Sequence, residues 1–233
     1  MPGSSASTGD AAGPSPLPPE EDGHALDVVA IGSPLLDVIE LASYEQLERI
    51  GLQKGSMTLI DLPTAIAVQE YMGEPRYVSG GSVANTTAGI AELGGAAGFI
   101  GAVADDEVGR TYAENLRATG VEFEPHYSES AAGDGLGTGR GVVLITEDAD
   151  RTMGTYLGAA STLSPEGVPI SFVARASVVL LEGYLWDVPA AKEAMRHAAS
   201  SSSCGAGGTS NLTCCTTGER SSDSKAGGEL NRS

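Results

Sequence analysis

Gly80-Gly81-Ser82-Val83-Ala84-Asn85-Thr86-Thr87-Ala88-Gly89-Ile90-Ala91-Glu92-Leu93-Gly94-Gly95, followed by Ala97-Gly98-Phe99-Ile100-Gly101-Ala102-Val103, decides the fold. Two glycines open a helix over 82–93, with Ser82 at its N-cap and Gly94-Gly95 as its stop. The many Ala and Gly residues let that helix approach a sheet closely. The apolar run at 97–103 then predicts a buried strand. Upstream, Leu26 to Ile31 is a second buried-strand pattern, stopped by Gly32-Ser33-Pro34. Leu35 to Leu41 stays extended, with Leu35, Asp37, Ile39 and Leu41 on one face.

Downstream, Val108, Tyr112 and Leu116 recur at helical spacing after Asp105-Asp106-Glu107, with Gly120 past the end. Arg140 to Thr146 and Arg151 to Leu157 flank Glu147-Asp148-Ala149-Asp150 as a hairpin. Ser177 to Leu181 is a further strand, and Val188 to Ala199 a further helix. Strand–helix alternation of this kind gives an α/β fold: a parallel sheet with flanking helices on both faces. The hairpin and a strand near Val121–Phe123 are expected to form a smaller β element beside it.

Three zones follow from composition. Residues 1–25, rich in Ser, Gly, Ala and Pro, read as a disordered leader. Residues 26–199 carry the ordered pattern. Residues 200–233 are mostly Ser, Gly, Thr and Cys and read as a disordered tail. Lys and Arg number 13 against 31 Asp and Glu, a net charge of −18. That charge argues against nucleic-acid partners and anionic membrane surfaces. No apolar stretch has the length of a membrane span, about 18 residues or more, and no basic residue precedes Arg49, so a cytoplasmic protein is expected. Cys204, Cys214 and Cys215 form neither a CxxC pair nor a His-containing cation set, and His24, His126 and His197 are scattered. No metal site is expected.

The candidate site residues lie around the helix start. Gly80 and Gly81 allow a sharp turn and close approach of a ligand, or simply a tight turn. The first-turn amides and Asn85 face whatever sits there. Asp37 places a carboxylate on an apolar face, so it either meets a polar ligand or lies on an exposed edge. The glycine run Gly133-Asp134-Gly135-Leu136-Gly137-Thr138-Gly139-Arg140-Gly141 fits neither phosphate-loop spacing and reads as a loop feeding the hairpin. Asp105-Asp106-Glu107 reads as a complement to the helix dipole.

Residues 26 to about 198 resemble the first half of the PfkB/ribokinase family of carbohydrate and nucleoside kinases, most closely its adenosine kinase-like members. The resemblance rests on Ala30-Ile31-Gly32-Ser33-Pro34-Leu35-Leu36-Asp37, on the 80–95 stretch, and on FIGAVADDEVGR (99–110). It continues through TGRGVVLITEDADRTMGTYLGAA (138–160) and VVLLEGYLWD (178–187). It implies a ribokinase-like parallel sheet with a small β lid, and a sugar or nucleoside as the small-molecule partner. The implied reaction moves the γ-phosphoryl group of ATP, with Mg2+, to a primary hydroxyl of adenosine or a related sugar. Asp37 would bond sugar hydroxyls, Gly80 and Gly81 would let the ribose lie against backbone, Asn85 would bond a ribose hydroxyl, and Glu182 would add a contact. The family also admits a homodimer paired through the lid.

The family's Asn-x-x-Glu element and its Asp-Thr-x-Gly-Ala-Gly-Asp stretch, whose last Asp is the base, do not occur in this sequence. The C-terminal ATP-binding half is therefore expected to be missing, and no catalytic residue is assigned. The abrupt change at Ser200 is read as the mark of a frame shift or misplaced splice boundary. A catalytically incomplete fragment that at most binds a nucleoside or sugar is the alternative.

Overall fold

The computed structural model describes residues 25–129, 135–202 and 211–215. The leader expected over residues 1–25 lies outside the described residues apart from Ala25. In chain order the first elements are β1 (Leu26–Ile31), β2 (Leu35–Leu41), α1 (Tyr44–Ile50), β3 (Met57–Leu59), α2 (Leu62–Glu70) and β4 (Arg76–Gly80). Next come α3 (Ser82–Glu92), β5 (Ala97–Val103), α4 (Glu107–Ala118), β6 (Glu122–Tyr127), β7 (Gly139–Ile145) and β8 (Arg151–Tyr156). The last are α5 (Ile170–Val173), β9 (Ala176–Glu182), α6 (Pro189–Ser202) and β10 (Asn211–Cys215).

A five-stranded sheet of order β10-β9-β1-β5-β6 forms the body, and every pairing in it is parallel. Burial at all seven positions of β5 follows from cover on both faces, which is why that strand reads as a continuous apolar run. One face packs Val29, Ile31, Ile100 and Leu181 against Met195 and the alanines of α6. The other packs Ala30, Phe99 and Leu180 against Val83 of α3 and Tyr112 and Leu116 of α4. Asp106 caps α4 by accepting the Gly109 amide at 2.7 Å, and Gly120 (φ +92°) turns the chain out of it.

A second five-stranded sheet, order β3-β8-β7-β2-β4, stands beside the first. The predicted hairpin is its β7–β8 pair, antiparallel from Arg140↔Tyr156 to Ile145↔Arg151. Helices α1 and α2 cover one face through Leu47 and Val68 on Val142 and Leu144. Among the described residues the opposite face stays uncovered, with Leu41 77% exposed and Leu59 64% exposed.

Four expectations are corrected. The strand near Val121–Phe123 belongs to the main sheet as β6, because Phe123 is buried between Phe99 (ring centroids 5.4 Å apart) and Tyr112 (5.5 Å). The N-cap of α3 is Gly81, not Ser82: Gly81 takes φ +105°, which moves the helix boundary one residue upstream. Gly139 is the first strand residue of β7 rather than loop, while Arg140 and Gly141 lie in that strand as the hairpin reading places them. Finally, helix α6 runs to Ser202, and Asn211–Cys215, placed in the tail, pairs with the β9 edge as β10. A free strand edge offers unpaired N–H and C=O groups, and this segment fills them. Among the described residues no helix is long and apolar enough to cross a membrane.

Candidate functional site

A cavity of about 770 Å³ opens where the carboxyl ends of β1 and β9, the start of α3 and the uncovered face of the second sheet converge. Ligands of open α/β sheets bind outside the carboxyl ends of the strands, and this cavity occupies that position. Asp37, Gly81, Asn85 and Glu182 line one end of it. Met57 and Leu59 line it from β3, three strands across the second sheet from Asp37. Polar groups thus cluster around Asp37, and the apolar side chains of β3 lie across the sheet from them.

Asp37 enters from β2. In the register of the second sheet it lies opposite Gly141 of β7 and Val78 of β4, two pairs from Leu35↔Gly80. A Cβ on Gly80 or on Gly141 would collide with the Asp37 carboxylate, so both glycines make room for it. No side chain among the described residues bonds that carboxylate, and burial pushes its pKa from 3.8 up to about 6.

Gly81 and Asn85 come from the start of α3, where no side chain caps the helix. Gly81 lines the cavity with its backbone; a Cβ there would run into the Ser33 carbonyl oxygen. Gly80 is not a lining residue. Its Cα backs Asp37, and its carbonyl accepts from the fully buried Tyr112 hydroxyl at 3.1 Å. Burial, reinforced by the Glu182 and Asp37 charges, holds the Tyr112 pKa well above the ordinary phenol value, so it remains a donor.

Glu182 ends β9, is 3% exposed, and accepts the Ser33 amide at 2.6 Å. Burial raises its pKa, and hydrogen bonds with Ser33 and the Ser82 backbone partly offset the rise. This bond ties the β1–β2 turn to the end of β9.

All four predicted residues, Asp37, Gly80, Gly81 and Asn85, thus gather at one cavity end, with Glu182 beside them. Reading the sequence did not single out Gly141 or Tyr112 for the site. Gly141 showed only as a glycine near the start of the predicted hairpin, and Tyr112 only as a core position on α4. Asp105 and Asp106 flank the start of α4 away from the cavity. Among the described residues no three His, Cys, Asp or Glu side chains gather as a cation cage. Among the described residues no Lys or Arg lines the cavity, whose charged residues are Asp37, Glu182 and Asp187. A nucleoside triphosphate does not fit that donor set, because nothing there offsets its charge; a neutral polyol does.

A parallel sheet whose strand ends meet a glycine-opened helix beneath a second, half-uncovered sheet is the ribokinase-like α/β fold. The pfkB family carbohydrate kinase model matches residues 55–206, more than half of the chain, and the chain belongs to that family. Kinases of this family use ATP. Among solved structures, the chain is similar to adenosine kinase from Sinorhizobium meliloti, at 41% identity and a TM-score of 0.67, covering 76% of this chain and 53% of that one. It is also similar to a probable sugar kinase from Rhizobium etli CFN 42, at 38% identity and a TM-score of 0.69, covering 77% of this chain and 53% of that one. A curated relative is the 5-dehydro-2-deoxygluconokinase of Halalkalibacterium halodurans, 28% identical over 158 residues, 67% of this chain and 46% of the relative. The chain spans about half the length of the relatives it matches.

Proposed function

We propose that this chain holds the phosphoryl acceptor of a sugar or nucleoside kinase, and that the acceptor is adenosine or a related ribosyl compound. The reaction would move the γ-phosphoryl group of ATP to a primary hydroxyl. The observation that carries this reading is the cavity lining, with Asp37 and Asn85 beside the start of α3 and the apolar Met57 and Leu59 on β3, three strands across the sheet from Asp37. In this reading the Asp37 carboxylate accepts hydrogen bonds from ring hydroxyls and the Asn85 amide bonds a further hydroxyl. The Gly81 backbone lets the ring lie close. A free sugar presents hydroxyls all round and leaves the apolar end unused, whereas a nucleoside has a polar and an apolar part.

Phosphoryl transfer depends on gripping the acceptor, neutralising the phosphates and placing a base. The cavity residues supply the first of these, and no residue of this chain is assigned as base or phosphate ligand. Its all-acidic charge supports the second reading, a chain that binds the acceptor without phosphorylating it.

Calorimetric titration with adenosine and with ribose tests the grip, and adenosine-dependent release of ADP from ATP tests turnover. Saturable adenosine binding without ADP release selects the binding reading, and binding with release selects the kinase. Failure to bind either compound overturns both.

A further inference from the structure

The second sheet joins the body through four chain crossings: β1 to β2, β4 to α3, the entry to β7 and the exit from β8. Helix α4, which packs on the main sheet, grips two of them. At its start, Asp106 Oδ1 accepts from the Gly109 amide and from the Thr138 hydroxyl, both at 2.7 Å. Asp106 Oδ2 accepts the Thr138 amide at 2.9 Å. The same hydroxyl accepts the Ala104 amide, just past β5, at 3.0 Å. Thr138 is fully buried, so the residue that leads into β7 is tied to helix and main sheet together.

Further along α4, the Tyr112 hydroxyl donates to Gly80 O at 3.1 Å, and Asn115 Nδ2 donates to Tyr77 O at 3.4 Å. Both acceptors belong to β4, at the other crossing. Gly109 fits the arrangement because a Cβ there would stand 2.8 Å from Thr138 Oγ1 and press on the Ala104 carbonyl. Asp106, Tyr112 and Thr138 do not line the cavity.

We infer that α4 is the seat of the second sheet, with Asp106, Thr138 and Tyr112 as positioning residues that fix its angle and so hold Asp37 beside the start of α3. Hydrogen bonds that tie the crossings to the body restrict how the second sheet turns on them, and Ser33 on Glu182 already ties the β1–β2 crossing. Both clips act on strands that carry the site: Gly80 backs Asp37, and Thr138 leads into β7, where Gly141 makes room for the same carboxylate. The effect on ligand binding rests on the acceptor reading above, whereas the seat itself does not.

Amide hydrogen exchange on the full chain tests the seat without any ligand. Thr138→Val removes the hydroxyl bonds of the first clip and Tyr112→Phe the hydroxyl bond of the second, each keeping the side-chain shape. Each is expected to speed exchange in β2, β7 and β8 by roughly tenfold, the population change from losing about one hydrogen bond, while β1 and β5 stay as in the parent. Thr138→Ser, which keeps the hydroxyl, restores the parent rates. Uniform acceleration across both sheets, or none anywhere, overturns the inference. Should Thr138→Val not fold, Tyr112→Phe carries the same test from the other clip.

A second arm follows adenosine by the fluorescence of Trp186, the single tryptophan, beside the cavity residues Tyr184 and Asp187. Affinity is expected to fall roughly tenfold in both clip variants and to return in Thr138→Ser. Unchanged affinity in a variant whose second sheet exchanges faster overturns the positioning role. Absence of adenosine binding in the parent chain sinks the acceptor reading, while the exchange data still decide the seat.

Discussion

Asp37 and Gly141 face each other across the β2–β7 ladder, and the carboxylate occupies the space a side chain at 141 would need. The absence of a Cβ at 141 is thus a condition for where Asp37 points. Gly141→Ala must displace the carboxylate or strain the strand, and overpacking of this kind costs about 1–3 kcal/mol. If the overlap is relieved by moving Asp37, adenosine affinity falls between about tenfold and a hundredfold. Titration calorimetry beside a thermal melt separates the cases. A lower melting temperature with affinity intact would mean that the strand, not Asp37, absorbs the strain.

The raised pKa of Asp37 fixes a pH dependence. Its pKa in the folded chain is about 6 against an ordinary 3.8, so the folded state binds the extra proton between those values. The stability this group contributes is present below about 3.8 and is lost as pH rises through 6. A pKa step is worth about 1.4 kcal/mol, so keeping the carboxylate ionised costs the fold on the order of 2 to 3 kcal/mol at neutral pH. Asp37→Asn is expected to raise the melting temperature at pH 7 and to lose adenosine binding. The stability gap between variant and parent should close as pH falls from 6 towards 4, as denaturant melts across that range would record. A gap independent of pH would mean that Asp37 is not held above its ordinary pKa.

Ligand binding carries the opposite sign. Hydroxyls that donate to the carboxylate favour its charged form, so adenosine binding should tighten as pH rises through 6 and should release a proton there. Calorimetry at pH 6 in two buffers of different ionisation enthalpy measures that proton directly. A binding heat that does not vary with buffer removes Asp37 as the hydroxyl acceptor.

Local patterns made the main sheet and much of the cavity legible. β1, β5 and β9 are short apolar runs closed by turns or helix starts, and α4 shows its buried face at i, i+4 and i+8. Asp37 stood out as a charge on an apolar face, and Asn85 through its place in a helix opened by glycines. Other features depend on partners distant in the chain. Gly141 acquires meaning only from a register that sets it against a residue about a hundred positions earlier. All three residues of β3 are exposed, so no alternation marks the strand. β6 is assigned to the main sheet by Phe123 packing on Phe99 and Tyr112, which no local pattern states. Ser82 is a favoured capping residue, yet the positive φ of Gly81 takes the cap position first.

Two exchanges of glycine and alanine should both stabilise the chain, for opposite reasons. Gly89 lies inside α3, and an added Cβ there meets nothing within 4 Å. Gly89→Ala removes the entropy penalty of a helical glycine, about 0.5–1 kcal/mol. Ala149 sits at φ +64° in the β7–β8 turn, a left-handed conformation that strains a residue with a Cβ. Ala149→Gly relieves the strain and gives part of it back as chain entropy, a net gain of about 0.5 kcal/mol. Neither residue lines the cavity, so adenosine affinity should stay as in the parent. Thermal melts check both, and a loss of stability in Gly89→Ala would show that α3 is more tightly packed at that point than the space around Gly89 indicates.

The apolar end of the cavity decides between a nucleoside and a free sugar. Leu59, on the edge strand β3, is 64% exposed although it lines the cavity, and Met57 beside it is 49% exposed. An apolar surface left open inside a cavity gains when a ligand covers it, by about 1.5–3 kcal/mol for a leucine covered fully. Leu59→Asn removes most of that gain and leaves Asp37, Gly81 and Asn85 untouched. Adenosine, which has a base to lay against Leu59, should lose about tenfold or more in affinity. Ribose, held only at the polar end, should bind the variant as it binds the parent. Competition titrations of both ligands against the parent and Leu59→Asn measure the two ratios together. Equal losses for adenosine and ribose would place both ligands on Leu59 and leave the apolar end without a role in selection. No loss for either would mean that the base lies elsewhere, and the acceptor would then be a sugar bound at the polar end alone.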